Sequence, residues 1–196
     1  MTKGRLEAFS DGVLAIIITI MVLELRAPAG HSWSALRPLL PVFGSYVLSF
    51  VYLAIYWNNH HHLLQAARHV NGRVLWANLH LLFWLSLFPF CTAWMGDSHF
   101  ATVPVAAYGV VLLLAACAYY LLVRALISRH GRESALAAAI GSDRKGRASV
   151  AVYAVAIPAS VISPWLSCAL YIAVALLWLV PDPRIERALA ARAEER

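Results

Sequence analysis

Residues 5–25 read RLEAFSDGVLAIIITIMVLEL, and this stretch decides the class of fold. A short polar head, Arg5 to Gly12, leads into an apolar run that only Thr19 interrupts before Glu24. A bilayer's hydrocarbon core is about 30 Å thick and takes about 20 apolar helical residues to cross, so the run from Leu6 to Leu25 predicts a transmembrane helix. It is too long for a cleavable leader, and no small-residue cleavage site closes it before Glu24 and Arg26. The rest of the chain agrees. Of its 196 residues 61% are apolar and 13% charged, against about 45–50% and about 25% in an ordinary globular domain. That balance excludes a disordered chain and argues against a soluble enzyme. Cys91, Cys117 and Cys168 lie far apart in apolar runs, which fits buried thiols rather than a disulfide framework or a thiolate metal site.

Outward from the first helix, five more segments have the composition of membrane spans: 38–64, 74–95, 103–127, 148–163 and 165–180. The expected fold is an all-α integral membrane bundle of six helices in one domain, residues 1–196. The second segment is long enough to tilt or protrude. The last two are short and joined almost without a loop at Ser163-Pro164-Trp165, where proline ends a helix. Phe88-Pro89-Phe90 predicts a kink in the third. Residues 133–140 are expected to form a short helix in the one sizeable loop, and 184–196 to continue the last helix into water.

Six spans put both termini on one side. Of the 16 lysines and arginines, only Arg26 and Arg37 then fall on the other side. By the positive-inside rule the termini are expected to be cytoplasmic, in a multi-pass protein of the cell membrane. The net charge of +6 is thereby explained without a nucleic-acid partner. Trp57, Trp76, Trp94, Trp165 and Trp178 lie near the span ends, as interface anchors do.

Polar groups inside a membrane cost free energy and so carry information. Ser10 and Asp11 on the first helix, Asn58-Asn59-His60-His61-His62 on the second, and Asn78 and His80 on the third fall at similar depth. One reading is a buried hydrogen-bond network tying three helices together; for Asp11 alone the plainer one is a surface residue at headgroup level. Metal binding is the sharper alternative. Consecutive helical residues diverge by about 100°, so the three adjacent histidines cannot chelate one ion together, although one of them with His80 and Asp11 could. No His-Glu-x-x-His, Gly-x-Ser-x-Gly or phosphate-loop pattern occurs, and neither an enzyme nor a cofactor is expected.

Relative to Ile16, an ideal helix puts Ile20 at about +40°, Leu23 at about −20° and Thr19 at about −60°. Phe9 and Gly12 fall on the same side, at about +20° and −40°, while Ser10 and Asp11 fall behind, at about +120° and −140°. The first helix thus has a narrow apolar stripe with one hydroxyl beside it. Such a stripe packs against neighbours or lipid in most proteins, and lines a pore in some.

The string Arg5-x-x-x-Phe9-Ser10-Asp11-Gly12 with its apolar continuation resembles the signature first helix of the transmembrane protein 175 family, potassium channels of endosomes and lysosomes with prokaryotic relatives. Tyr56-Trp57-Asn58-Asn59-His60-His61, Asn78-Leu79-His80-Leu81-Leu82-Phe83-Trp84 and Leu87-Phe88-Pro89-Phe90 extend the resemblance over the first three helices. The single six-helix repeat resembles the prokaryotic branch. There the resemblance implies a homotetramer whose first helices surround the axis, with Ile16 as the tightest ring, Ile20 and Leu23 as the next two, and Thr19 as the residue for potassium preference. It implies a structural network of Arg5, Ser10 and Asp11, with Asn78 and His80 behind them. An ideal helix puts Arg5 on the Ile16 side, so that it either precedes regular helix or lies at the pore mouth. The chain has no Thr-Val-Gly-Tyr-Gly filter. The function so implied is a weakly selective channel for potassium and other monovalent cations, gated by a hydrophobic constriction. The alternative is a proton- or ion-coupled carrier using an Asp/His relay. A metal-binding membrane protein and a purely structural one are further readings.

Overall fold

The computed structural model describes residues 2–67, 69–130 and 143–179, and among them every regular element is helical. α1 spans Lys3–Leu23. A 3-10 turn, Trp33–Leu39, leads into α2, Leu40–Ala66, whose second residue is Pro41. Pro41 lacks an N–H, and a helix's first turn leaves that N–H unpaired in any case, so α2 begins there at no cost. α3, Gly72–Leu85, opens on Asn71, whose side chain accepts the Val74 N–H at 3.0 Å.

The kink expected at Phe88-Pro89-Phe90 is a full interruption. α3 ends at Leu85 and α4 starts at Phe88 and runs to Asp97, bridged by the Ser86 and Leu87 amides bonding back to Leu82 and Trp84. Pro89 cannot donate to the preceding turn, so the ladder restarts there. A tight turn follows in which His99 (φ 53°) and Phe100 (φ 60°) are both left-handed, and the Phe100 amide returns to the Met95 carbonyl. α5 spans Thr102–His130. α6, Arg144–Ile162, is capped by Asp143, whose carboxylate accepts the Gly146 N–H at 3.1 Å. One extended residue, Ser163, separates it from α7, Pro164–Leu179. The helix expected within 133–140 and the tail from 184 lie outside the described residues.

Among the described residues four stretches could cross a membrane by length and composition: Lys3–Leu23, Trp33–Ala66, Gly72–Asp97 and Thr102–Ser128; Pro164–Leu179 is a shorter apolar helix. α5 is the hub, packed on α3, α4, α6 and α7. α1 lies at the side, against α2, α3 and α4. The core between them is a run of leucines with Tyr52, Tyr108 and Tyr171 at its centre. Their hydroxyls are all spoken for: Tyr52 donates to the Tyr171 carbonyl at 2.6 Å, Tyr153 to Tyr52 at 3.2 Å, Tyr171 to the Val105 carbonyl at 3.2 Å, and Tyr108 meets Ser49 at 3.1 Å. Buried hydroxyls in an apolar bundle need such partners, because a lone one costs about 1–3 kcal/mol.

Candidate functional site: the two faces of the first helix

α1 has one face inside the subunit and one outside. Leu6, Ser10, Leu14, Ile17 and Met21 recur every three or four residues and are buried against α2, α3 and α4. Phe9, Ile16, Thr19, Ile20 and Leu23 lie on the opposite side and are exposed, Ile16 at 59% and Leu23 at 79%. The apolar stripe of the helical wheel is therefore the outward face of α1 in the single subunit. The Thr19 hydroxyl donates to the Ile16 carbonyl at 2.9 Å, which turns its oxygen lone pairs away from the helix. Arg5 is within regular helix and exposed.

The motif that follows Phe9 splits. Ser10, fully buried, donates to the Leu6 carbonyl at 2.9 Å and accepts from Asn78 Nδ2 at 2.9 Å. Asn78 Oδ1 lies 2.7 Å from His60 Nε2. A carbonyl oxygen cannot donate, so the proton sits on His60 Nε2. The bonds then run in one direction, His60 to Asn78 to Ser10 to the Leu6 carbonyl, and join α2, α3 and α1 through buried atoms. Asp11, one residue on, points outward. Its carboxylate accepts the Trp57 indole N–H at 3.0 Å, and the Trp57 ring stacks on His61 at 5.8 Å.

The structure brings Ser10 and Asn78 together and leaves Asp11 and His80 out of that chain. His80 Nε2 accepts from Trp84 Nε1 at 2.9 Å, one turn along α3. The adjacent histidines part as consecutive helical residues must: His60 inward, His61 onto Trp57, His62 edge-on to His61. Among the described residues no three His, Cys, Asp or Glu side chains converge as a metal site would require.

Sequence reasoning put His60 in the polar layer of three helices without singling it out, because only its rotation about α2 distinguishes it from its neighbours; it passed over one participant. Trp57, read as an interface anchor, spends its indole N–H on Asp11. A second buried polar string was also missed: Thr92 on α4 meets Ser49 on α2 at 2.6 Å and Met21 Sδ on α1 at 3.8 Å, and Ser49 continues to Tyr108 on α5. Single hydroxyls scattered through apolar runs carry no periodic signal, so only contact reveals this string.

Comparison with known proteins gives one answer. The family model described as endosomal/lysosomal potassium channel TMEM175 matches residues 5–89. A potassium channel of Chryseobacterium sp. (strain P1-3) is 57% identical over 189 residues, covering 96% of this chain and 98% of that protein. A potassium channel of Streptomyces collinus is 34% identical over 125 residues, 60% of this chain and 61% of that one. The crystal structure of a lysosomal potassium-selective channel TMEM175 homolog from Chamaesiphon minutus superposes with a TM-score of 0.78 at 30% identity, over 91% of this chain and 96% of that chain.

Proposed function

Because the chain belongs to the family of the endosomal/lysosomal potassium channel TMEM175, a family of multi-pass membrane channels and not of enzymes, we propose that four copies of it enclose a potassium-permeable pore lined by α1, with Ile16 at the narrowest ring. One observation carries this reading: Ile16, Ile20 and Leu23 stand exposed in a single stripe on a helix whose opposite face is locked into its own subunit. The whole chain acts as one six-span subunit, with α3 and α4 together making the third span and α6 and α7 the last two. The lysine and arginine distribution puts both termini in the cytoplasm.

A ring of isoleucines offers an ion no oxygen ligand. A narrow apolar ring expels water, and an ion cannot cross without water or a substitute for it, so Ile16 acts as a hydrophobic gate. Opening requires α1 to tilt or rotate until the ring widens and wets. Selectivity is weak, because the only side-chain oxygen on the stripe is that of Thr19. Its proton is engaged by the Ile16 carbonyl, so the oxygen presents lone pairs to a partly dehydrated cation. Ser10 and Asn78 hold α1 in register against α3, Asp11 holds it against α2, and Arg5 sits at the cytoplasmic mouth. A carrier with an Asp/His proton relay gains no support from the geometry, since Asp11, His60 and His80 each bond a different partner.

The test is planar-bilayer recording of purified protein under a potassium-to-sodium gradient, with Ile16→Asn beside it. The expected outcome is ohmic single-channel current with a potassium-biased reversal potential, larger in the variant because the ring then wets. Equal currents in the two proteins would remove Ile16 from the constriction.

A further inference from the structure

Away from α1, a cavity of about 390 Å³ lies between α2, α5, α6 and α7, within the range of about 300–1,000 Å³ typical of small-ligand sites. Its walls are mostly aromatic and aliphatic, with Tyr52, Tyr56, Tyr153 and Trp178 among them. Tyr120, Leu121 and Arg147 line it as well and are exposed, so the cavity opens at the first turn of α6.

Among the described residues the charge at that opening is mostly positive. Arg144, Lys145 and Arg147 occupy the first turn of α6. Arg124 joins them from α5, its guanidinium donating to the Tyr120 hydroxyl at 3.1 Å and lying 5.8 Å from that ring's centre. The one carboxylate among the lining residues, Asp143, is turned to the Gly146 amide as a helix cap. An apolar chamber beneath a basic rim complements a molecule with an apolar tail and an anionic head. In a bundle that crosses a membrane the molecule of that description always at hand is an anionic phospholipid. Tyrosine, tryptophan and arginine are also the side chains that settle at the lipid–water boundary.

We propose that this cavity is a binding site for the acyl chain of an anionic phospholipid, whose headgroup phosphate is held at the basic rim formed by α5 and α6. The site is internal to one subunit and does not depend on how α1 conducts ions. Arginine suits the task because its planar fork meets phosphate oxygens two at a time.

Trp178 supplies a readout independent of current. The full chain is reconstituted in vesicles containing phosphatidylglycerol or phosphatidylcholine brominated near the carboxyl end of the acyl chain, where bromine quenches an indole on contact. The difference between wild type and Trp178→Phe isolates the Trp178 signal. Phosphatidylglycerol is expected to quench it at about one-fifth the mole fraction that phosphatidylcholine needs, the effect of about one cation–headgroup contact. Arg124→Gln and Arg147→Gln, which remove charge at the rim and leave Tyr52, Tyr56, Tyr153 and Trp178 in place, are each expected to bring the two lipids together. A Trp178 signal that neither lipid quenches would overturn occupancy of the cavity. Equal quenching by both lipids in wild type, or a preference that survives both glutamine variants, would overturn the anionic headgroup and its basic rim.

Discussion

Replacing Asn78 by leucine tests the buried chain that locks α1 into its subunit. The two side chains are close in volume, so the variant opens no large cavity and its cost is polar. Asn78 is fully buried, donates to Ser10 Oγ at 2.9 Å and accepts from His60 Nε2 at 2.7 Å. In Asn78→Leu the His60 N–H loses its acceptor at a site 2% exposed, which costs about 1–3 kcal/mol for an unsatisfied buried donor. Ser10 loses a donor but keeps its own bond to the Leu6 carbonyl, so its share is smaller, about 0.5 kcal/mol. Between membrane helices such losses are reduced, because the unfolded helices find other partners, and double-mutant cycles average about 0.6 kcal/mol per bond with a maximum near 1.7. The expected net cost is about 2 kcal/mol for Asn78→Leu and about 1 kcal/mol for Ser10→Ala. In the double variant the Ser10–Asn78 bond cannot be lost twice, and the sum should fall short by about 0.6–1.7 kcal/mol. Equilibrium unfolding by dodecyl sulfate, followed by far-ultraviolet circular dichroism, measures all four corners of the cycle. Strict additivity, or a leucine variant as stable as wild type, would refute the claim that this chain of bonds holds α1 to α3.

Three further outcomes follow from specific contacts. A Cβ on Gly109 would overlap the Tyr171 hydroxyl, so Gly109→Ala should cost about 1–3 kcal/mol by overpacking. Adding Tyr171→Phe should recover part of that loss in thermal unfolding, whereas no recovery would place the clash elsewhere. Trp57→Phe and Asp11→Ala break the same bond from its two ends, one removing the donor and the other the acceptor; each is expected to change single-channel open probability in the same direction, and the double variant should match either single one. Independent, summing effects would show that the two residues act apart. Thr92→Val keeps shape but severs both the Ser49 and Met21 contacts, and is expected to lower stability by about 1 kcal/mol. Ser49→Ala also strands the buried Tyr108 hydroxyl, so in the Thr92→Val background it should still add a cost, smaller than in wild type by the shared Ser49–Thr92 bond, a cycle read by the same dodecyl sulfate titration.

Much of this protein is legible in one dimension. The hydrocarbon core of a bilayer demands helices of a certain length and apolarity, so runs such as 6–25 and 103–127 declare an α-helical membrane protein before any contact is known. Helical periodicity is equally local: the wheel drawn from residues 9–23 already puts Ile16, Ile20 and Leu23 on one side, and that side is the exposed one. The motif Arg5-x-x-x-Phe9-Ser10-Asp11 pointed to a channel family whose membership the relatives bear out.

What the tertiary structure alone decided is which polar group meets which. Ser10 and Asp11 are adjacent in sequence, and the wheel grouped them together at the back of α1. A rotation of about 100° per residue nonetheless sends Ser10 into the core and Asp11 outward to Trp57. The same rotation selects His60 from three consecutive histidines and leaves His80 to bond Trp84 within its own helix. The cavity under the basic turn of α6 is likewise assembled from four helices whose lining residues run from Tyr52 to Trp178. A sequence records the period of each helix, which depends on backbone geometry common to all helices. It does not record the azimuth at which one helix docks on the next, because that angle is set by the packing of side chains from both.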